Sequence, residues 1–513
     1  MKLGKLLSLT DIPCPKGRED IEVTEIVTDS RKINTGCMFV CIRGQRRDGH
    51  DFINFASEAG ASVIVAEQVR GDCVGGAAIV TVENTRRASA LLYNAWYGDP
   101  SKRVKVIGIT GTNGKTSTAF TTASLLRAVG RSAGVIGTLG VFGNELEKIE
   151  SEAPEPSANM TTPEPCELFR ILDLFAGRGI EYAVMEVSSH ALSLHKTDGI
   201  VFDTAVFTNL THDHLDFHGS MENYYNAKKR LFLSCRKAVI NTDCPYGERL
   251  FGELSEIDNK IELFASSRGG KGDFCSLEED LRGSEGVRFE LSALGIRVRT
   301  GIGIPMGFAV SNSLLSLGAA VLATGGADEK KILCMANALE RFSGVAGRME
   351  RAYSDGEICV YIDYAHTPDA LENILLGVRE MKRAGERIVL LFGCGGRRDI
   401  SKRAEMGRIA SRLSDVVIVS SDNPRDEDPR EIISHVMKGI DKEKPHKVIE
   451  NRREAIEYAV STARRGDIIL LCGKGHEKYE ISAEGKRPFD ERDIVTRAAE
   501  KRRETIAEGK KRR

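Results

Sequence analysis

The residues Gly111-Thr112-Asn113-Gly114-Lys115-Thr116 have the types and spacing of a phosphate-binding loop. Glycines permit a tight turn and let backbone N–H groups approach a ligand closely. Lys115 would reach the β- and γ-phosphates of a nucleotide, and the Thr116 hydroxyl would ligate Mg²⁺. Upstream, Val104, Val106, Ile107 and Ile109 make a β-branched run of the kind found in buried strands. A helical pattern follows, and its free N–H groups and positive dipole end suit an anion. The general phosphate-loop pattern requires glycine where this chain has Ile109, so the match is to a shorter, narrower form. A chance glycine turn is the bland alternative. It gives no reason for strand, glycines, Lys-Thr and helix to occur in this order.

Five of the ten histidines fall between His190 and His218. A zinc site is one reading, but zinc favours tetrahedral Cys/His ligation, and no cysteine lies in that stretch. Mg²⁺ held by hydroxyl, carboxylate and phosphate oxygens suits a chain with a phosphate loop better. Most of these histidines are then expected to hydrogen-bond loop backbones. Asn226-Ala227-Lys228 falls on a predicted helix. Taken alone, Lys228 reads as a surface lysine, because a cation beside Mg²⁺ would be repelled.

The elements that must position these groups are apolar runs ending in polar clusters. Tyr182–Met185 runs into Glu186-Val187-Ser188-Ser189-His190, and Thr204–Phe207 into Thr208-Asn209-Leu210-Thr211-His212-Asp213-His214. Strands apolar on both faces belong to parallel sheets, where ligands sit at the carboxyl ends. Glu186 and His214 therefore stand beside the phosphate loop if their strands neighbour it. The stretch 266–300 alternates in polarity and reads as a solvent-facing antiparallel excursion, with a helix over Ala309–Ala323. Later runs at Ile358–Ile362, Ile388–Phe392, Val416–Val419 and Ile468–Leu471 end in Asp363-Tyr364-Ala365-His366, Gly393-Cys394-Gly395-Gly396, Asp422-Asn423-Pro424-Arg425 and Gly473-Lys474-Gly475-His476-Glu477. They predict a second doubly wound sheet with polar loops on one edge. Before the phosphate loop, short strands over 36–42, 63–66 and 78–81 and a helix over 52–59 predict a small α/β unit.

A chain of 513 residues suggests about three domains, divided here as 1–98, 99–339 and 340–513. The fold class is α/β. A net charge of −1 carries no signature of nucleic acid or membrane, and the basic Lys501–Arg513 tail reads as an exposed helix end. The twelve cysteines lack a C-x-x-C pair and read as reduced core residues. The N-terminus has no signal-peptide pattern, and no apolar run is long enough to span a membrane. These features predict a cytoplasmic protein without membrane insertion or a nucleic-acid partner; a monomer is expected, although composition does not give the oligomeric state.

As a set, the phosphate loop, Met185-Glu186-Val187-Ser188-Ser189-His190, Thr208-Asn209-Leu210 with Asp213-His214-Leu215-Asp216, and Asp363-Tyr364-Ala365-His366-Thr367-Pro368-Asp369 resemble the Mur ligases. Within them the chain is similar to the members that add the third amino acid in peptidoglycan precursor synthesis. Asp29-Ser30-Arg31, Gly44 and Asp48-Gly49-His50 match the family's UDP-binding domain. The resemblance implies a small UDP-sugar-binding domain, a central phosphate-loop ATPase domain and a C-terminal Rossmann-like domain. It implies phosphorylation by ATP of the terminal carboxylate of UDP-N-acetylmuramoyl-L-alanyl-D-glutamate, then attack by an amine on the acyl phosphate.

By the same resemblance, Gly111, Thr112, Asn113, Gly114, Lys115, Thr116 and Ser117, with Asn312, Arg348, Asp363 and His366, bind ATP. The UDP-linked substrate is contacted by Ser30, Gln45, Arg46, Thr161, Thr162, Ser188 and Lys196. Thr116 and Glu186 hold one Mg²⁺, and His214 and a carbamylated Lys228 hold a second. Carbamylation turns the cation into a carboxylate-like ligand, so the resemblance overrides the surface reading of Lys228. Lys115, Lys228 and His214 are the catalytic candidates. Asp422-Asn423-Pro424-Arg425 implies meso-diaminopimelate as the added amino acid, with Arg425 on the distal carboxylate and Gly473, Glu477 and Arg398 around it.

Two departures stand out. Gly395-Gly396-Arg397-Arg398-Asp399 has an arginine where the family usually has aspartate, and His195-Lys196 replaces the frequent His-Arg. The alternatives are the lysine-adding form of the same ligase, a folylpolyglutamate synthetase-like ligase, and a nucleotide-dependent switch protein.

Overall fold

The computed structural model describes residues 1–44, 47–68, 76–149, 160–257, 261–281 and 286–511. Near the N-terminus, Ile26–Val27, Met38–Val40, Val63–Ala66 and Ala78–Thr81 pair in parallel, in chain order. The helix expected over 52–59 spans Ile53–Glu58 and continues a 3₁₀ turn over Gly49–Phe52. Asn84 caps the helix Thr85–Trp96 by accepting from the Arg87 N–H. The helix places Tyr93 in an apolar cluster that runs from Leu3 through Phe169 of the next unit.

The central sheet has ten strands. The phosphate-loop strand Lys105–Thr110 lies between Tyr182–Glu186 and Phe202–Phe207, parallel to both. This is the neighbourhood that the parallel-sheet argument required. The three strands are buried almost throughout, as the near-continuous apolar runs demand. Helix Lys115–Ala128 leaves the loop and packs on Gly307–Ala323.

The stretch 266–300 is antiparallel as expected, but it is not a solvent-facing excursion. Its strands Phe274–Leu281, Val287–Ala293 and Ile296–Ile302 are antiparallel to one another. They extend the central sheet, and Glu262–Arg268 pairs with the first of them in parallel. Phe274, Phe289 and Leu291 are buried in a cluster with the helices Gly307–Ala323 and Glu329–Arg341. The polar residues of the alternation mark only the outer face.

The last sheet runs in the order Glu350–Ser354, Ile358–Asp363, Asp467–Cys472, Arg387–Phe392, Val416–Val419, His446–Val448. All neighbours are parallel except the first pair. The polar loops read from the sequence follow the carboxyl ends of its parallel strands. The basic tail is described as far as Lys511, in the helix Glu491–Lys511, which packs Ile494, Val495, Ala498 and Ala499 on this sheet. Among the described residues, no helix is long and apolar enough to cross a membrane.

Candidate active site

The loop after Thr110 depends on glycine at two points. Gly111 has φ 149°, and a Cβ there would lie 1.8 Å from Thr208 Oγ1. Gly114 has φ 85°, and a Cβ there would lie 2.6 Å from the Asn312 amide oxygen. Both positions combine a left-handed backbone with no room for a side chain. Asn312, expected at the nucleotide, therefore lies against the loop. Lys115 Nζ donates to the Gly111 and Thr112 carbonyls at 2.9 Å each, and desolvation lowers its pKa. Thr116 Oγ1 donates to Glu186 Oε2 at 2.9 Å. Ser117 follows in the first turn of the helix.

Glu186 is 1 % exposed and also accepts from the Thr138 N–H at 2.9 Å and Thr138 Oγ1 at 3.2 Å. A hydroxyl oxygen and a buried carboxylate beside a phosphate loop form the hard-oxygen donor set that suits Mg²⁺. The residues present thus fit the ion.

Lys228 is not a surface lysine. It is 1 % exposed on the helix Met221–Lys229, with Nζ donating to Gly111 O at 2.8 Å and lying 4.6 Å from the Tyr224 ring centroid. The helix buries Tyr224, Tyr225 and Ala227, and Lys228 is buried with them. Desolvation, with Lys115 adding repulsion, pushes its pKa well below the usual lysine value. A buried ammonium near a second lysine is costly. The neutral amine is also the form that reacts with CO₂.

His214 stands at the foot of the short helix Leu215–His218 with φ 54°, its ring 4.8 Å from that of His190. Desolvation lowers its pKa; Lys115 and Lys228 add to this, and Asp213 opposes it. Two of the other histidines bond side chains, not the loop backbones expected. His195 Nδ1 is 2.8 Å from Asp198, and His218 Nε2 is 2.9 Å from Ser189 Oγ.

Four of the residues expected at the UDP-linked substrate come together. Thr162 Oγ1 donates to Glu186 O at 2.9 Å and accepts from the Ser188 N–H at 3.0 Å. Thr161 Oγ1 is 3.2 Å from Thr138 Oγ1. Lys196 is buried and pairs with Glu164 at 2.7 Å. Ser30 lies apart in the first unit, in a 3₁₀ turn capped by Asp29. Gln45 and Arg46 lie outside the described residues.

The C-terminal edge meets the loop. Arg348 Nη2 reaches Thr116 Oγ1 at 3.4 Å, and its guanidinium lies 4.9 Å from the Tyr364 ring centroid. Asp363 accepts from the Met349 and Ala365 N–H groups at 2.7 Å each. Burial raises its pKa against the pull of Arg348. His366 Nδ1 is 2.8 Å from Tyr364 O, and its side chain is exposed.

Asn423 is oriented by Lys474 Nζ and the Ile481 N–H, both 2.9 Å from its amide oxygen. Its amide nitrogen therefore faces Glu477, to which it donates at 2.7 Å. Burial and Asp422 raise the Glu477 pKa. Gly473, at φ 118°, faces Asp422, whose Oδ2 would be 2.8 Å from a Cβ there. Pro424 lies between Asn423 and Arg425, and its carbonyl would be 2.0 Å from a Cβ on Gly396. Arg425 has φ 56°, and its Nη1 donates to Gly396 O at 2.7 Å. Among the described residues no carboxylate pairs with it. Arg397, the departure from the family pattern, is taken up by Asp426 and Glu427, and Arg398 stands exposed beside it. His214, Met349, Arg397 and Arg425 all hold left-handed backbones. Such strain persists only where surrounding contacts impose it, and it clusters at functional sites.

Sequence reasoning did not single out Thr138, Tyr224, Lys474 or Asp369. Thr138 follows the strand Ala133–Gly137, so the carboxyl-end rule could have found it. Lys474 and Asp369 lie inside quoted motifs.

Family models match in three blocks: "Mur ligase family, catalytic domain" over 22–102, "Mur ligase middle domain" over 109–320 and "Mur ligase, glutamate ligase domain" over 347–475. The chain is 41 % identical over 498 residues to the UDP-N-acetylmuramoyl-L-alanyl-D-glutamate–2,6-diaminopimelate ligase 1 of Clostridium acetobutylicum, covering 97 % of this chain and 98 % of that one. A solved structure of a UDP-N-acetylmuramoyl-L-alanyl-D-glutamate–2,6-diaminopimelate ligase superposes with TM-score 0.70 at 28 % identity, covering 98 % of this chain and all of that one. Folylpolyglutamate synthase of Mycobacterium tuberculosis, complexed with ADP, shares the fold at TM-score 0.60 and 20 % identity over 76 % of this chain and 91 % of its own. The chain belongs to the Mur ligase family.

Proposed function

We propose that this protein is the ATP-dependent ligase that joins meso-diaminopimelate to UDP-N-acetylmuramoyl-L-alanyl-D-glutamate, acting in the cytoplasm. The observation that carries the reading is the meeting of two polar sheet edges. Thr116, in the phosphate loop, bonds Arg348 of the C-terminal unit, so a nucleotide and an amine held on the two edges can reach one another.

In this reading Lys115 leaves its two loop carbonyls for the β- and γ-phosphates, where its charge assists transfer. The substrate carboxylate attacks the γ-phosphorus, ADP leaves, and an acyl phosphate forms. The amine then attacks the acyl carbon, and phosphate leaves as the amide forms. Thr116 and Glu186 would hold one Mg²⁺, with His214 and carbamylated Lys228 holding a second. Bound there, the ions would neutralise phosphate charge. Thr161, Thr162, Ser188 and Lys196 would orient the dipeptide. Asn423 fixes Glu477 to receive the distal ammonium, and Arg425 receives the distal carboxylate bidentately.

Phosphate release tests the reading. It should require both the UDP-linked dipeptide and the amino acid. Release with a folate substrate and glutamate would favour the folylpolyglutamate synthetase alternative, and release with neither would favour a switch protein.

A further inference from the structure

The contact between the phosphate loop and the C-terminal unit centres on Asp369, a residue with no role in the proposed chemistry. Asp369 lies in the first turn of the helix Pro368–Met381, whose cap is Thr367. Its Oδ2 accepts from Asn113 Nδ2 at 2.7 Å, Thr211 Oγ1 at 2.8 Å and Asn373 Nδ2 at 3.1 Å. Two of these donors belong to the central unit, and the third belongs to the same helix as Asp369.

Both arms lead into the phosphate loop. The Asn113 backbone is held by the central unit alone: its N–H donates to Asn209 Oδ1 at 3.0 Å, and its carbonyl accepts from Thr208 Oγ1 at 2.6 Å. Its side chain is thus left for the C-terminal unit. The Thr211 N–H donates to Thr112 Oγ1 at 3.0 Å, and that hydroxyl lies 3.1 Å from Tyr224 OH. Tyr224 lies beneath Lys228. One carboxylate on the C-terminal helix therefore reaches the loop directly and the Lys228 environment through the Thr211, Thr112 and Tyr224 hydroxyls.

We propose that Asp369 is a positioning residue that couples docking of the C-terminal unit to the shape of the phosphate loop. It touches no substrate and acts through Asn113 and Thr211. When the C-terminal unit swings away, the Asn113 side chain and the Thr211 hydroxyl lose their shared acceptor. The loop then keeps only its central-unit ties, so a nucleotide-ready loop and a docked amino-acid site are favoured together. A charged acceptor shared by three donors suits this role, because hydrogen bonds to an ionised group are roughly twice as strong as neutral ones.

The kinetic arm of the test rests on the ligase reading; the structural arm does not. Full-length Asp369→Ala, Asp369→Asn, Asn113→Ala and the Asp369→Ala/Asn113→Ala pair are compared by kcat/KM for ATP, affinity for ADP and small-angle scattering. Asp369→Ala should lose about tenfold or more in kcat/KM and give a more expanded scattering profile with ADP. The double variant should lose less than the two single losses combined, as expected of residues acting in one contact. Asp369→Asn, which keeps an acceptor oxygen, should recover part of the loss. Additive losses in the double variant would overturn the proposal. So would wild-type kcat/KM and scattering in Asp369→Ala accompanied only by a lower melting temperature. If Asp369→Ala does not fold, Asp369→Asn combined with Asn113→Ala reads the same coupling. A wild-type chain that fails to ligate would count against the ligase reading, while ADP affinity and scattering would still decide the role of Asp369.

Discussion

At the residue scale, the chemistry and its selectivity rest on two side chains, Lys228 and Arg425. Lys228 lies in a buried, positively biased setting in which an ammonium is disfavoured. A carbamate there would remove the repulsion from Lys115 and supply oxygen ligands. Lys228→Ala should therefore lose activity by a factor on the order of 1000, the scale of removing a group that supports phosphoryl transfer. Short carboxylic acids added to the alanine variant should restore part of it; full activity in the variant without them would contradict the assignment. Arg425 has its guanidinium near Gly396 and Asn423 and no carboxylate partner among the described residues. Lysine would leave that cation unpaired in a closed site, and losing one partner of a desolvated charge pair typically costs about 2–5 kcal/mol. Arg425→Ala should lower kcat/KM for meso-diaminopimelate on the order of 100-fold and narrow its ratio to lysine. An unchanged ratio would show that this loop does not select the amino acid.

At the element scale, the helix that carries Lys228 is anchored from outside. Glu253, on the helix Pro245–Glu256, accepts from Lys229 at 2.7 Å, from Tyr225 OH at 2.6 Å and from Arg249 at 2.6 Å. Desolvation alone would raise its pKa, but these bonds hold it at about 2. A carboxylate whose pKa is depressed on folding adds stability above its unfolded value near 4.5, and that contribution fades as pH falls towards 2. Solvent screening limits the effect to about 1 kcal/mol. Glu253→Gln should lower the melting temperature at pH 7 by a few degrees, and the gap to wild type should close between pH 4.5 and pH 2. A gap independent of pH would mean that the ion pairs contribute nothing.

The phosphate loop and the strand ends carrying Glu186 and Asp422 are legible in the sequence, because each is a short consecutive run with its own periodicity. Lys228 is legible only through the family resemblance, since one lysine on a nine-residue helix gives by itself no sign of which face is buried. The role of the strands over 274–302 is also hidden, because local alternation does not reveal that helices cover one face.

For the whole molecule, the reacting groups must come within roughly 3–3.5 Å of one another, so the C-terminal unit should close against the rest. The first unit shares one apolar cluster with the central one, despite the left-handed Gly98 and Asp99. The central and C-terminal units share another apolar cluster, and Gly344 and Gly347, with positive φ, lie at the junction between them. Adding ATP analogue, UDP-linked dipeptide and amino acid together should contract the scattering profile, and identical profiles with and without ligands would contradict closure. The tie at Asp369 could not be read from sequence, because its partners are 256 and 158 residues away and only the packed units bring them together. The central claim is that the closed molecule makes one particular amide. The most direct measurement is the mass of the UDP-linked product formed from ATP, UDP-N-acetylmuramoyl-L-alanyl-D-glutamate and an equimolar mixture of meso-diaminopimelate and L-lysine. The product should carry meso-diaminopimelate almost alone; a product carrying mainly lysine, or no ATP-dependent product, would contradict the assignment.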